Sequence, residues 1–208
     1  MTPGARRLTS PDGVTHTFDS SSFALELLLT GGPPPWDRYE TLDTPEALAD
    51  WVVGSHLALG LPAAALKITR AELARIKEFR EALWRIIPAL TKSNGNDKVL
   101  PGAQPVTPAD LKLVNAAVGP LPRPQLGGPD RTKRWETPVT GTQILGAAAR
   151  ELVEMIGTDR AKRVRMCEGA DCYLMFYDTS RPGNRRWCSM QRCGNRNKVG
   201  TYRTRHYA

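Results

Sequence analysis

The residues most suited to chemistry are four cysteines, and all of them lie in the last quarter of the chain. Cys167, Cys172, Cys188 and Cys193 form two C-x4-C pairs that are separated by 15 residues. Two such pairs are typical of a tetrahedral zinc site, because each short loop brings two sulfur atoms near one point. Four protein ligands close the coordination sphere, so we expect one structural zinc ion and no catalytic metal.

Two disulfides or an iron–sulfur cluster would use the same four cysteines. The first 15 residues contain no apolar segment of the kind found in secretory signals, so we expect a cytoplasmic protein whose thiols stay reduced. The longest apolar run, "FALELLL", is too short to cross a bilayer, and no membrane partner is expected. These features favour zinc over disulfides. No ligand spacing relates the three histidines, His16, His56 and His206.

Positive charge is concentrated around the cysteines. Residues 160–208 contain 12 Lys/Arg and 3 Asp/Glu, a net charge of +9, whereas the whole chain carries +8. The rest of the chain is therefore close to neutral. A near-neutral body with a strongly basic end indicates a polyanionic partner. The alternative is that the arginines only keep a small domain in solution.

The composition and turn signals divide the chain into three parts. Residues 1–17 are interpreted as a flexible tail, residues 18–157 as a mainly helical domain, and residues 160–208 as a zinc finger. The turn-rich segment "GPLPRPQLGGPD" and the following "TKRWE" predict one small β-hairpin within the helical domain. The expected fold class is therefore mainly α, of the α+β type.

Helix starts in the middle of the chain are marked by capping residues. Thr44 precedes Pro45, a residue that fits the first helical position, and this helix is expected to run to Gly60. Thr69 with Glu72 forms a capping-box spacing. A third helix is expected after Thr107 and Pro108, and a fourth ends at Gly157.

Within the finger, "RVRMC" and "YLMFYD" predict a β-hairpin around the first cysteine pair. Ser189 is a plausible N-cap for a terminal helix that carries the last ligand, a treble-clef-like layout. At about 100° per residue, an α-helix would place Arg192, Arg196 and Arg203 on one stripe and Lys198 and Arg205 on a second.

These side chains suit contacts with phosphates and base edges. Packing is the alternative for two of them, since Asn195 could tie the cysteine loop to the return loop and Arg196 could bridge to Asp178. The predicted nucleic-acid-binding residues are Arg185, Arg186, Arg192, Asn195, Arg196, Lys198, Arg203 and Arg205.

The stretch "FYDTSRPGNRRWCSMQRCGNR" resembles the CGNR zinc-finger family, whose name spells residues 193–196. The helices around "TPEALADWV" and "LARIKEFREALWRII", with "KRWE", resemble the ABATE domain that precedes this finger in the family. Where ABATE domains often begin with a stretch like "FVNT", this chain has "LELLLTGG". The resemblance implies that the four cysteines bind zinc. It also implies a bacterial transcription regulator whose finger binds DNA and whose ABATE domain senses something.

The leading hypothesis is a regulator that binds duplex DNA, as a homodimer formed through the helical domain, with a small-molecule effector at that domain. An RNA-binding protein, and a protein-interaction module in which zinc is purely structural, are the alternatives. An enzyme is not expected, because the sequence has no spare cysteine, no cluster of histidine with carboxylates, and no phosphate-binding glycine loop.

Overall fold

The computed structural model describes residues 3–10, 12–129 and 131–198 of the 208-residue chain. Helices predominate, and short strands form four two-stranded sheets. In these residues, no helix combines the length and apolar character needed to cross a membrane. The helices are α1 (Phe23–Glu26), α2 (Pro45–Val53), α3 (Arg70–Ser93), α4 (Pro108–Ala117) and α5 (Gly141–Ile156).

Three of the sheets are antiparallel hairpins, and one is a parallel pair that connects distant segments. The pairs are β1 (Ala5–Thr9) with β2 (Thr15–Asp19), β3 (Leu66–Lys67) with β6 (Val139–Thr140), β4 (Pro124–Gly127) with β5 (Thr132–Trp135), and β7 (Val164–Met166) with β8 (Met175–Tyr177). The β4–β5 and β7–β8 hairpins confirm the two that the sequence predicts.

The predicted helix caps are confirmed. The side chains of Thr44, Thr69 and Thr107 each accept a hydrogen bond from a backbone amide in the first turn of α2, α3 and α4. However, α2 ends at Val53 and not near Gly60. Gly54 follows directly, and the Ser55 hydroxyl donates to the carbonyl of Val52 at 2.8 Å, which turns the chain away from the helix axis.

The main core lies between α3 and α5, and it joins the two predicted domains. The apolar faces of both helices are buried, as their spacing predicts, and Val164, Met166 and Met175 of the β7–β8 hairpin pack into the same cluster. The finger hairpin is therefore attached to the helical domain through apolar packing. The fully buried residues of the α3 and α5 faces include Ile76, Phe79, Leu83, Ile87, Ile144 and Leu152.

The prediction of a flexible tail at residues 1–17 is wrong for residues 5–9 and 15–17, which lie in strands. Strands β1 and β2 form a hairpin in which His16 and Phe18 face inward. Phe18 packs in a second apolar cluster together with the four cysteines, and Leu8 lies against that cluster. The segment is polar apart from these inward positions, so its period-2 alternation is easily missed in the sequence.

Candidate metal centre

The four cysteine sulfur atoms converge on one buried point. Every pair of Sγ atoms lies within 4.8 Å, and all four residues are buried. The Sγ atoms of Cys172 and Cys188 are 3.7 Å apart. A tetrahedral zinc ion with Zn–S bonds near 2.3 Å requires an S–S separation of about 3.8 Å, so the donor set fits zinc.

Local structure brings each cysteine pair together. Cys167 follows the end of β7, and the amide of Cys172 donates to the carbonyl of Gly169, which closes the first loop. A Cβ atom on Gly169 would lie 2.8 Å from the Sγ of Cys193, so this loop requires glycine where it passes the sulfur atoms. The amide of Cys188 donates to the Sγ of Cys167 at 3.2 Å, which links the second pair to the first.

Four thiols this close cannot all ionise without a metal. The hydrogen bond with Cys172, followed by that with Cys188, lowers the pKa of Cys167 to about 2. The hydrogen bond with Cys167 in turn raises the pKa of Cys172 to about 12. One thiolate is thus stabilised by its neighbours, and a bound divalent cation would allow the others to lose their protons as well.

Ser189 begins the last element, as predicted, but that element is not a simple α-helix. The Ser189 side chain accepts from the amide of Arg192, and residues 190–194 form a π-helical turn in which the amide of Gly194 donates to the carbonyl of Ser189. In the described residues, α-helical backbone follows at residues 195–198. The wider π turn changes the angle between successive residues over this segment. Arg192 and Arg196 nevertheless both approach Asp12, at 3.8 and 3.2 Å, whereas Arg203 lies outside the described residues.

Arg192 lies within that π turn and is buried. Its side chain is only 6% exposed, and its Nη1 atom lies 3.9 Å from the Sγ of Cys193. Arg192 was predicted to contact nucleic acid, but in the structure it is buried beside the sulfur atoms. There its charge can offset the net charge of about −2 that four thiolates around one zinc ion would carry.

Arg185 is a structural residue as well, contrary to the predicted surface contact. Its guanidinium donates to the carbonyls of Asp19, Trp187 and Cys188, at 3.2, 3.0 and 2.6 Å respectively, and stacks 4.0 Å from the centre of the Phe176 ring. Burial lowers the pKa of this group. Its Nε and Nη2 atoms thus hold three carbonyl groups that converge at the return loop.

Arg196 does not bridge to Asp178. Its Nη1 atom lies 3.2 Å from Oδ2 of Asp12, in the β1–β2 connection. Asp178 is fully buried and accepts from the amides of Ser180 and Arg185 at 2.9 and 2.7 Å, so it shapes the return loop through backbone groups.

The other predicted contacts divide into exposed residues and residues that the structure does not describe. Arg186 is exposed and pairs with Glu168 at 2.6 Å, and Asn195 and Lys198 are exposed close to the π turn. Arg203 and Arg205 lie outside the described residues.

Lys98 is a residue of the centre that sequence reasoning missed. It lies in the loop after α3, and its ammonium group donates to three carbonyls of the first cysteine loop. The acceptors are the oxygens of Cys167, at 2.6 Å, of Gly169, and of Cys172, at 2.8 Å. A lone lysine in a loop gives little signal in a sequence, although here it fixes the backbone that carries two of the four sulfur atoms.

The same loop fastens the finger strand to the helical domain. The Asn94 side chain donates to the carbonyls of Ala161 and Val164, and that of Asn96 donates to Met166 at 2.9 Å. These two asparagines lie in the sequence "SNGND". They are the available signal, because amide side chains can satisfy the free carbonyls of an edge strand.

Two family profiles cover most of the chain. The ABATE profile, described as "Putative stress-induced transcription regulator", matches residues 21–159, and the CGNR zinc-finger profile matches residues 163–206. No curated protein matches the chain. All four cysteines lie in the second match, whereas the β1–β2 hairpin lies outside both. The chain therefore belongs to the ABATE family and carries a CGNR zinc finger, as its motifs predict.

Proposed function

We propose that this protein is a DNA-binding transcription regulator of the cytoplasm, whose treble-clef-like finger is held by one structural zinc ion. The observation that carries the proposal is the position of exposed basic residues directly after a closed four-cysteine cluster. Four protein ligands leave no open position on zinc for a reaction, which supports a binding role and not an enzyme.

The proposed contact surface consists of Arg186, Asn195, Arg196 and Lys198, with Arg203 and Arg205 as further contacts. Arg186 and Arg196 are paired with Glu168 and Asp12, but both pairs are exposed. Exposed ion pairs are weak, so a phosphate can replace the carboxylate at little cost. Arg185 and Arg192 are assigned a bracing role in this proposal.

A single small finger specifies few base pairs. We therefore include a homodimer formed through the helical domain, which would read two half-sites. A small-molecule effector that alters the geometry of this dimer completes the proposed regulator. Sedimentation of the zinc-loaded chain at several concentrations tests the dimer, and a monomer at all of them would remove this part of the proposal.

The test of DNA binding is selection from a random duplex pool with the zinc-loaded chain, followed by titration of the selected sequence at several salt concentrations. We expect an enriched motif and a log–log salt slope of about −4, as for four to five phosphate contacts. A pool that stays random, together with binding that does not depend on salt, would remove the proposal. Tighter binding to RNA than to duplex DNA at equal salt would replace DNA by RNA as the partner.

A charge-matched pair of double variants separates the finger surface from net charge. R196Q/K198Q removes two positive charges beside the cluster, whereas R75Q/K92Q removes two exposed charges from α3. We expect the first variant to weaken binding by about tenfold or more and to make the salt slope shallower by about two. Equal losses in both variants would mean that the finger is not the contact surface.

A further inference from the structure

A cavity of about 670 Å³ lies where the β1–β2 hairpin, the segment 28–41 and the first cysteine loop meet. A volume of this size accommodates a small organic molecule. Much of the wall is apolar and aromatic, which favours a ligand with an apolar body over a bare inorganic ion. The apolar lining includes Leu8, Leu28, Leu29, Trp36, Trp84 and Leu174.

Two buried polar side chains line the cavity with unused hydrogen-bonding atoms. His16 is 5% exposed, and neither ring nitrogen has a partner within the described part of the chain. Arg192 is 6% exposed, and its Nε atom also has no partner there. Its Nη2 atom is 3.8 Å from the nearest carboxylate oxygen, of Asp12. Because buried polar groups in folded proteins are normally paired, these atoms are suited to hydrogen-bond a bound molecule.

The charged residues of the lining indicate which charge a bound ligand would carry. Three arginines are among the lining residues, Arg7, Arg38 and Arg192, together with two acidic residues, Glu40 and Asp171. Glu40 is already neutralised by ion pairs with Arg80 at 2.5 Å and Lys77 at 3.4 Å. The lining arginines outnumber the lining carboxylates, which favours an anion, although Arg192 also faces Asp12 at 3.8 Å and the cysteine sulfur atoms.

We propose that this cavity binds a small aromatic carboxylate, with the carboxylate on Arg192 and His16 and the ring against Leu29 and Trp36. A carboxylate matches the planar donor array of a guanidinium and forms charge-assisted hydrogen bonds with it. The ring would replace water along the apolar wall. Such a ligand would touch the hairpin, the helical domain and the residue next to Cys193 at the same time. The site stands on the cavity alone and does not depend on DNA binding.

Calorimetric titration of the zinc-loaded full chain with 1-naphthoate tests the proposal. The comparison compounds are 1-naphthamide, which has nearly the same shape without the charge, and inorganic phosphate. We expect the affinity for naphthoate to exceed the affinities for naphthamide and for phosphate by about tenfold or more. Equal binding of acid and amide, preferred binding of phosphate, or no binding of naphthoate up to about 1 mM would each overturn the proposal.

Variants locate the bound molecule. His16→Leu removes one proposed anion contact, and Leu29→Trp fills the cavity without changing a charge. Each should weaken naphthoate binding by about tenfold or more, while Arg150→Gln, on the exposed side of α5, should leave binding unchanged.

Arg192→Gln should also weaken naphthoate binding, and zinc content is measured on the same sample because Arg192 lies beside Cys193. If this variant loses zinc, His16→Leu and Leu29→Trp decide the question. Unchanged naphthoate affinity in both of those zinc-loaded variants would place the ligand elsewhere and overturn the proposal.

Discussion

The Oδ2 atom of Asp12 lies 3.2 Å from Nη1 of Arg196, although 184 residues separate them in the sequence. Asp12 belongs to the connection between β1 and β2, and Arg196 follows the last cysteine of the cluster. The hairpin therefore places a negative charge directly on the surface proposed to meet DNA. An exposed pair of this kind adds little stability, so its main effect is on the charge that the surface presents.

Asp12→Asn is expected to raise the affinity for DNA by about two- to fivefold, because the proposed phosphate no longer competes with a carboxylate for Arg196. Fluorescence anisotropy with the selected duplex measures the effect. Glu154→Gln on α5 is the control, since it also removes one exposed negative charge from an ion pair, but outside the finger. The same gain in both variants would mean that only net charge matters and that the Asp12–Arg196 pair has no role.

Removal of zinc is expected to loosen the N-terminal hairpin together with the finger, because Phe18 packs in the same cluster as the four cysteines. Hydrogen–deuterium exchange after chelation should become about tenfold faster or more in β2, β7 and β8, while the amides of α3 stay protected. If the amides of β7 and β8 lose protection while those of β2 keep theirs, the role of Phe18 in the shared cluster is contradicted. Restoring zinc should restore the protection in all three strands.

Lys98→Met is expected to weaken zinc binding by about tenfold. The methionine keeps most of the length of the side chain but removes all three hydrogen bonds to the first cysteine loop. Competition with a coloured chelator measures the zinc affinity. Lys92→Met, at an exposed position near the end of α3, is the matched control, and equal zinc affinity in the two variants would contradict the bracing role of Lys98.

Glu40→Gln is expected to cost about 2 kcal/mol of unfolding free energy at neutral pH, because Glu40 binds the buried Arg80 through two hydrogen bonds. Burial alone would raise the pKa of Glu40, but the hydrogen bonds from Arg80 and from the Leu42 amide outweigh it and lower the pKa from 4.5 to about 2. This stabilisation is present above the unfolded-state pKa and is lost as the pH falls toward the folded-state value.

Urea unfolding of Glu40→Gln and the parent chain at a series of pH values measures that dependence. The difference in unfolding free energy between the two proteins should shrink as the pH falls below about 4.5. Loss of metal at low pH affects both proteins equally and therefore cancels in this difference. Glu81→Gln, on the exposed face of α3, should show a difference near zero throughout. A Glu40→Gln difference that does not vary with pH would contradict the ionised pair.

Signals that are local in the sequence predicted the structure well. Thr69 with Glu72 and Thr107 with Pro108 fix helix starts through bonds within one turn, and the paired cysteines fix a metal cluster through two short loops. Within each helix start and within each cysteine pair, the interacting residues lie within five positions, whereas the two cysteine pairs meet across 15 intervening residues. The chemistry of the residues alone is then sufficient to predict the geometry.

Interactions between distant segments were missed, because no local rule predicts them. Lys98 contacts carbonyls about seventy residues further along, and the place of Phe18 in the cysteine cluster depends on how the hairpin docks. The burial of Arg192 was missed for a different reason. Arg192 lies in a π turn, and a π turn gives no clear signature in the residues that form it. Tertiary packing therefore decides the positions of Lys98 and Phe18.

The sharing of one apolar cluster by Phe18 and Cys193 has a consequence for synthesis. A ribosome releases the hairpin strands early and the fourth cysteine late, so Phe18 must wait for most of the chain before it reaches its final neighbours. The cluster that Phe18 shares with the four cysteines is therefore complete only after Cys193 has been synthesised. Contacts between such distant segments form more slowly than local contacts.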